Sequence, residues 1–548
     1  MRIPRARWAW ALALFLSIVP AAPGGQGPAA WRLETTDLRI ELDPGHSRLR
    51  GEARLSLAAA VPGDDAIVLD LNDELSVASV TDPSGHPLAF EREGARLTVR
   101  PAALSCALIL RVDYEGTFSK RNVNVGFYPA WIGPGLAYGL SGSWYPQLAG
   151  DVNRARGTIS YLVPAGWTVA SVGRPAGASD APEGRRFDFK VASPAGYSFA
   201  AGPFQAVHRR IDGLEMGIFL LKDGPGKADF YLENCARVAA ALREYYGGIP
   251  FDGFTVTELP QDLLGSAGGG AWQSFLFFPP EIMPEGYFFA PGFAHEIGHL
   301  FWGRVQSAAG PIISEGLAEV SMGLYLEKAF GERAFRAMLK NGAPELLLFH
   351  SARLYFHAIQ APQGGAVGAA MGTIGPGGDV PLGVWDPGRR NTLHTLANSK
   401  GWFVFTMLRD LIGPEAFRAG LRSAMSRYEG KTLDLAGLRA EFETAAGLDL
   451  GWFFEQWFFR TSAPEFALTW TAAPHGAGWE VKGRIRQTRD VYRVAAEVAF
   501  AASGAREIRV VEIAAESTDF SFLLPFQPVD VLFDPDYRIL RWTEEFKQ

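Results

Sequence analysis

Between residues 31 and about 205, apolar and polar positions alternate with a period of two. In RLRGEARLSL, residues 48–57, Leu49, Ala53, Leu55 and Leu57 are interleaved with Arg50, Glu52, Arg54 and Ser56, the signature of a strand buried on one face. AIVLDLN, ALILRVDY and GTISYLVP follow, separated by Pro, Gly and Asp clusters of the kind that make turns. This predicts an antiparallel β domain over 31–205. From about residue 206 the period lengthens: in FYLENCARVAAALREYYG, Leu232, Cys235, Val238, Ala239 and Leu242 fall on one helical face. Further helices are expected at SEGLAEVSMGLYLEKAFG, SKGWFVFTMLRDLIG, LAGLRAEFETAAG and LGWFFEQWFFRT, giving a mostly helical domain over 206–462. Alternation returns after Pro464 in WEVKGRIRQT, YRVAAEVAF, REIRVVEI and PVDVLFDP, which predicts a small β-sandwich over 463–548. The fold class is therefore multidomain α+β. The Gly-rich run APQGGAVGAAMGTIGPGGDVP, residues 361–381, reads as a long loop.

Length and charge narrow the function classes. A chain of 548 residues is too long for one core, in keeping with several domains. A net charge of -7 with pI near 5.8 provides no basic stripe for nucleic acid. Arg2, Arg5 and Arg7 precede an apolar run from Trp8 to Val19, followed by Pro20, Ala21 and Ala22. That order reads as a signal peptide over residues 1–24, and the run is too short for a comfortable membrane span. The expectation is an exported protein, periplasmic or extracellular, with no integral membrane segment after signal removal. Cys106 and Cys235 are expected to be buried free thiols rather than a bridge.

The chemistry concentrates in AHEIGHLFWGRVQSAAGPIISEGLAEV, from Ala294 to Val320. On a helix, His295 and His299 stand one turn apart on one face, so both imidazoles can reach one zinc ion. Glu296 points to the neighbouring side, placed to take a proton from the attacking water. Zinc suits this donor set, since it takes neutral nitrogens plus a carboxylate and keeps a position open. Glu315 and Glu319 lie four apart on a second predicted helix. One can complete the metal site while the other hydrogen-bonds a ligand histidine and fixes its tautomer.

AHEIGHLFWG followed by SEGLAE resembles the zinc site of the membrane alanyl aminopeptidase family of gluzincin peptidases. The resemblance extends to SKGWFVFTMLRDLIGPEAF, to WFFEQWFFRTSAPEFAL and, in the first domain, to SWYPQL. It implies a thermolysin-like zinc domain between a saddle-like β domain and a β-sandwich. It also implies one zinc per chain on His295, His299 and Glu315, with Glu296 as general base.

Three departures from the family qualify this. Fifteen residues separate His299 from Glu315, fewer than in the family; the shortening falls in a loop and leaves ligation intact. The family's Gly-Ala-Met-Glu-Asn edge strand, which pairs with the peptide backbone and binds its N-terminal ammonium, corresponds to Gly270, Ala271, Trp272, Gln273 and Ser274. Gln273 brings no charge, which weakens amine recognition, and Glu258 is a substitute anchor. The family's oxyanion-stabilising tyrosine corresponds to Asn398, with His394 and Tyr355 as other donors, and losing one such donor costs about a hundredfold to a thousandfold in rate. The sequence therefore predicts an exported zinc-dependent hydrolase of peptides, aminopeptidase-like but with altered amine recognition. The alternative is a zinc-binding scaffold that recognises peptides or protein partners without turnover.

Overall fold

The computed structural model describes residues 31–63, 66–101, 105–118, 130–140, 144–151, 153–221, 226–248, 251, 253–264, 269–272, 274–280, 290–346, 348–360 and 374–547. The expected signal peptide, Gln273 and residues 361–373 of the expected long loop lie outside them. The described chain falls into two compact units: one holds the residues up to Gln306 with Tyr428–Thr432, the other Ser307–Arg427 with Leu433 onward.

The first unit opens with a seven-stranded sheet in the order Arg174–Ala181, Gly184–Ala195, Ala155–Val163, Trp31–Asp43, Arg48–Gly63, Ser105–Thr117, Leu75–Thr81. Its pairs are antiparallel except that Trp31–Asp43 runs parallel to Ala155–Val163. The alternation read in residues 48–57 decides the register. Leu49, Ala53, Leu55 and Leu57 are buried, and Leu38 lies opposite Ala53 and Leu42 opposite Leu49, so both strands present their apolar sets to one core. Gly51 sits in this row because a Cβ there would come within 2.2 Å of the Tyr114 ring. Trp144 is fully buried, donates its indole N–H to the Tyr197 carbonyl at 3.1 Å and packs edge-on against Phe199.

A second sheet follows in the same unit, in a region read from sequence as mainly helical. Its order is Gln205–Ile211, Leu214–Leu220, Gly253–Glu258, Phe275–Phe278, Gly270–Trp272. Leu214–Leu220, Gly253–Glu258 and Phe275–Phe278 are mutually parallel. Phe275–Phe278, buried at every position, has no alternation to betray it, as is usual for strands covered on both faces. The helix Lys227–Tyr246 buries the periodic residues Leu232, Cys235, Val238, Ala239 and Leu242. Both cysteines are free; Cys235 is buried as expected, but Cys106 is exposed, because the strand Ser105–Thr117 begins in solvent.

In the second unit, Pro311–Phe330 starts with proline in its first turn after Gly310 and stops at Gly331, the Pro-in, Gly-out order of helix ends. Helices at Ala352–Gln360, Arg390–Leu396, Trp402–Ile412, Pro414–Arg427, Leu435–Ala446 and Gly451–Phe458 follow. A π-helical turn, Ala397–Gly401, joins Arg390–Leu396 to Trp402–Ile412. The C-terminal strands form two three-stranded sheets, Phe466–His475, Gly478–Gln487, Ser517–Leu524 and Ala505–Ile513, Val494–Ala502, Asp530–Phe533. The architecture is thus an N-terminal β domain, a helical region and C-terminal β strands. No helix among the described residues is long and apolar enough to cross a membrane.

Candidate zinc centre

The helix Ala290–Trp302 carries the first half of the site. From Pro291 to Trp302 every residue is buried, so its three polar side chains are held inside protein rather than on a solvated face. The helix closes with the Gly303 amide donating to the His299 carbonyl at 2.7 Å. A Cβ at Gly303 would lie 2.6 Å from that carbonyl oxygen, so the glycine allows the sharp exit.

His295, Glu296 and His299 are 3%, 0% and 4% exposed. Their ligand atoms all lie within 4.8 Å of one another, and the Nε2 atoms of the two imidazoles are 3.0 Å apart. A carboxylate and two imidazoles brought together out of water are costly unless they share a cation or a proton. Two converging Nε2 atoms are what a tetrahedral ion with Zn–N distances of about 2.0–2.1 Å requires. The two imidazoles therefore fit zinc.

Of the predicted substrate-binding residues, Gly270–Trp272 form the edge strand of the second sheet, antiparallel to Phe275–Phe278, with Gly270 opposite Phe277 and Trp272 opposite Phe275. This short strand packs on Ala290–Trp302. Among the described residues one of its edges has no sheet partner, the arrangement by which an extended peptide can add as a further strand. Glu258, the substitute anchor, is committed elsewhere. Its Oε1 pairs with Lys227 at 2.5 Å and accepts from the Tyr231 hydroxyl at 3.2 Å, and its Oε2 accepts from the Leu221 amide at 2.9 Å. Burial and the Glu258 charge beside it push the Tyr231 phenol far above its usual range.

In the second unit Glu315 and Glu319 are both buried on Pro311–Phe330. Glu315 Oε2 lies 3.6 Å from His394 Nε2, and the Asn398 amide nitrogen lies 3.2 Å from His394 Nδ1. Three residues proposed separately from the sequence thus form one chain, Glu315, His394, Asn398. Asn398 belongs to the π-helical turn Ala397–Gly401, a feature frequent at functional sites. Glu319 Oε1 lies 2.6 Å from His350 Nδ1. His350 was missed by sequence reasoning, and no local spacing announces it.

Tyr355 is placed as a structural residue. Its hydroxyl donates to Asp379 Oδ2 at 2.8 Å, which also accepts from the Ser462 amide at 2.7 Å. Lys400 Nζ stands 5.3 Å over the Tyr355 ring and donates to the Arg460 and Ser462 carbonyls. Burial raises the Tyr355 phenol well above its ordinary value, and the Asp379 charge adds to this.

No protein-family model and no curated protein sequence matches the chain. Solved structures do. A mutant M1 zinc metallopeptidase from Deinococcus radiodurans, bound to a Tyr-Ser-Ala substrate, is similar at 19% identity with a TM-score of 0.65, over 81% of this chain and 97% of that one. A two-domain M1 zinc metallopeptidase mutant bound to L-arginine is similar at 19% identity and a TM-score of 0.64, over 80% of this chain and 96% of that one. Aminopeptidase A of Legionella pneumophila, in complex with aspartic acid, is similar at 16% identity and a TM-score of 0.69; the match covers 95% of this chain and 60% of the Legionella protein. The chain has the fold of the M1 zinc metallopeptidases, which is the fold expected of a gluzincin aminopeptidase.

Proposed function

We propose that this protein is an exported, zinc-dependent peptidase, with His295, His299 and, from the resemblance of its SEGLAE segment, Glu315 as metal ligands. The observation that carries this reading is the buried convergence of the His295 and His299 Nε2 atoms, 3.0 Å apart, beside fully buried Glu296. Zinc, when bound, supplies Lewis-acid polarisation of the scissile carbonyl and lowers the pKa of water. Glu296 holds the attacking water, takes its proton and returns it to the leaving amine. The edge strand Gly270–Trp272 aligns the peptide by backbone pairing. His394 and Asn398 are the donors we assign to the developing oxyanion, and Glu319 holds His350, which is not one of the assigned ligands.

Amine recognition is the finer part of the proposal. Gln273 has no charge, and Glu258 is neutralised by Lys227 and saturated by Tyr231 and Leu221. Neither offers the carboxylate that makes a free N-terminal ammonium obligatory. The test compares a peptide with its N-acetylated form: the expected loss of turnover on acetylation is less than about tenfold, and Gln273→Glu restores a preference for the free amine. An acetylated peptide left untouched while the free one is trimmed would overturn this part. A second reading, a zinc-binding peptide scaffold without turnover, is favoured by the residues Gln273 and Asn398 standing where the resembled family has its acidic anchor and its tyrosine; it predicts zinc and peptide binding with no cuts.

A further inference from the structure

A cavity of about 300 Å³ opens inside the first unit; Ser274 and Leu300 are in its wall, but none of Gly270–Trp272, His295, Glu296 and His299 is. Its walls are apolar, with Leu33, Val191, Phe251 and Leu300 among them, but its charges are one-sided. Arg154 and Arg304 line its interior, and Arg32, Arg174 and Lys190 stand exposed around it, against the carboxylates of Asp151 and Glu429.

The two carboxylates do not balance the cations. Asp151 is occupied by backbone, its Oδ1 accepting from the Asn153 amide at 2.7 Å and its Oδ2 from the Leu33 amide at 3.4 Å. Glu429 pairs with Arg304. Arg154 is left: among the described residues it has no hydrogen bond and no ion pair. Withdrawal from water and the charge of Arg304 together pull its guanidinium down to about 9, with Glu429 holding it up. It is still a cation at neutral pH. An unpaired guanidinium, partly removed from water beside a second one, is an unfavourable arrangement until an anion joins it.

We propose that this cavity binds a small organic oxyanion, a phosphate ester or a carboxylate, with Arg154 as the central contact. The planar guanidinium presents paired N–H donors that match two oxygens of either group. The apolar walls take the body of the ligand, and the volume is at the lower end of small-molecule sites, about 300–1,000 Å³. The exposed cations at the rim draw the anion in, so binding weakens with salt.

The test is calorimetric titration of the full chain with phenyl phosphate, benzoate and inorganic phosphate, using benzyl alcohol as the neutral control. At least one anion is expected to bind with a dissociation constant of about 1 mM or tighter at low salt, and benzyl alcohol is not. Tight binding of phenyl phosphate assigns phosphate esters, of benzoate carboxylates, and of inorganic phosphate alone the free ion; each supports an oxyanion site. Arg154→Met is expected to weaken binding roughly tenfold to a hundredfold. Arg154→Lys retains charge without the fork and falls between. Lys190→Glu, on the exposed rim, weakens binding severalfold whether or not the Arg154 variants fold. Binding of none of the three anions to the unaltered protein, or binding unchanged in a folded Arg154→Met and in Lys190→Glu, overturns the proposal. The readout is independent of peptide hydrolysis.

Discussion

The helices Ala290–Trp302 and Pro311–Phe330 both bury acidic side chains, yet they satisfy them differently. On the first, Glu296 sits with two histidines of its own helix, all within 4.8 Å. On the second, Glu315 faces His394 and Glu319 faces His350, partners from other elements. A cluster made by one helix is set by spacing alone and survives changes elsewhere in the fold. Pairings made across elements depend on how helices pack, so they report on the unit's integrity as much as on chemistry. The two helices should therefore fail in different ways when cut.

The largest effect is expected from Glu296→Gln, which preserves shape and both imidazoles but removes the base. Peptide hydrolysis should fall by about a thousandfold or more, with zinc content and melting temperature unchanged. Unaltered turnover would move the chemistry off this helix. His299→Ala should strip the metal, leaving less than about a tenth of an equivalent by elemental analysis against near one in the parent protein. Full occupancy in that variant would deny His299 its role.

On the other helix, His394→Ala removes the group between Glu315 and Asn398. Turnover should drop by about tenfold to a hundredfold, with KM changing less than kcat if His394 serves the oxyanion. A change in KM alone would make it a substrate-binding residue. His350→Ala takes one hydrogen-bond partner from buried Glu319, costing about 1–3 kcal/mol and appearing as a lower unfolding temperature. The smallest effect on rate is expected from Tyr355→Phe. It loses the hydrogen bond to Asp379, about 1 kcal/mol of stability, while kcat changes less than about threefold; a hundredfold loss would make Tyr355 the oxyanion donor.

What the sequence made legible follows the same division. Periodic strands such as Arg48–Gly63 and the one-helix cluster at His295, Glu296 and His299 rest on neighbours within a few positions, and alternation or four-residue spacing records them directly. The sheet from Gln205 to Phe278 was missed because its inner strands are short and buried at nearly every position, Thr255, Thr257 and Glu258 included, so no inside-outside alternation marks them off from a buried helix. Lys227 reaching Glu258 and His350 reaching Glu319 are polar contacts between residues 31 apart, and only the packing of helices and strands brings them together. The cationic cavity draws on residues from Arg32 to Glu429, a separation over which no motif operates. Local pattern thus located the chemistry, whereas the groups that tune it came from topology.

The central claim is that the cluster on Ala290–Trp302 is a working zinc hydrolase centre. Its most direct measurement is elemental analysis of the purified protein together with digestion of a broad peptide library by the same sample. The expected result is about one zinc per chain and defined cut positions that vanish in Glu296→Gln. A fully zinc-loaded protein that binds library peptides and cuts none would contradict the claim and leave a recognition scaffold.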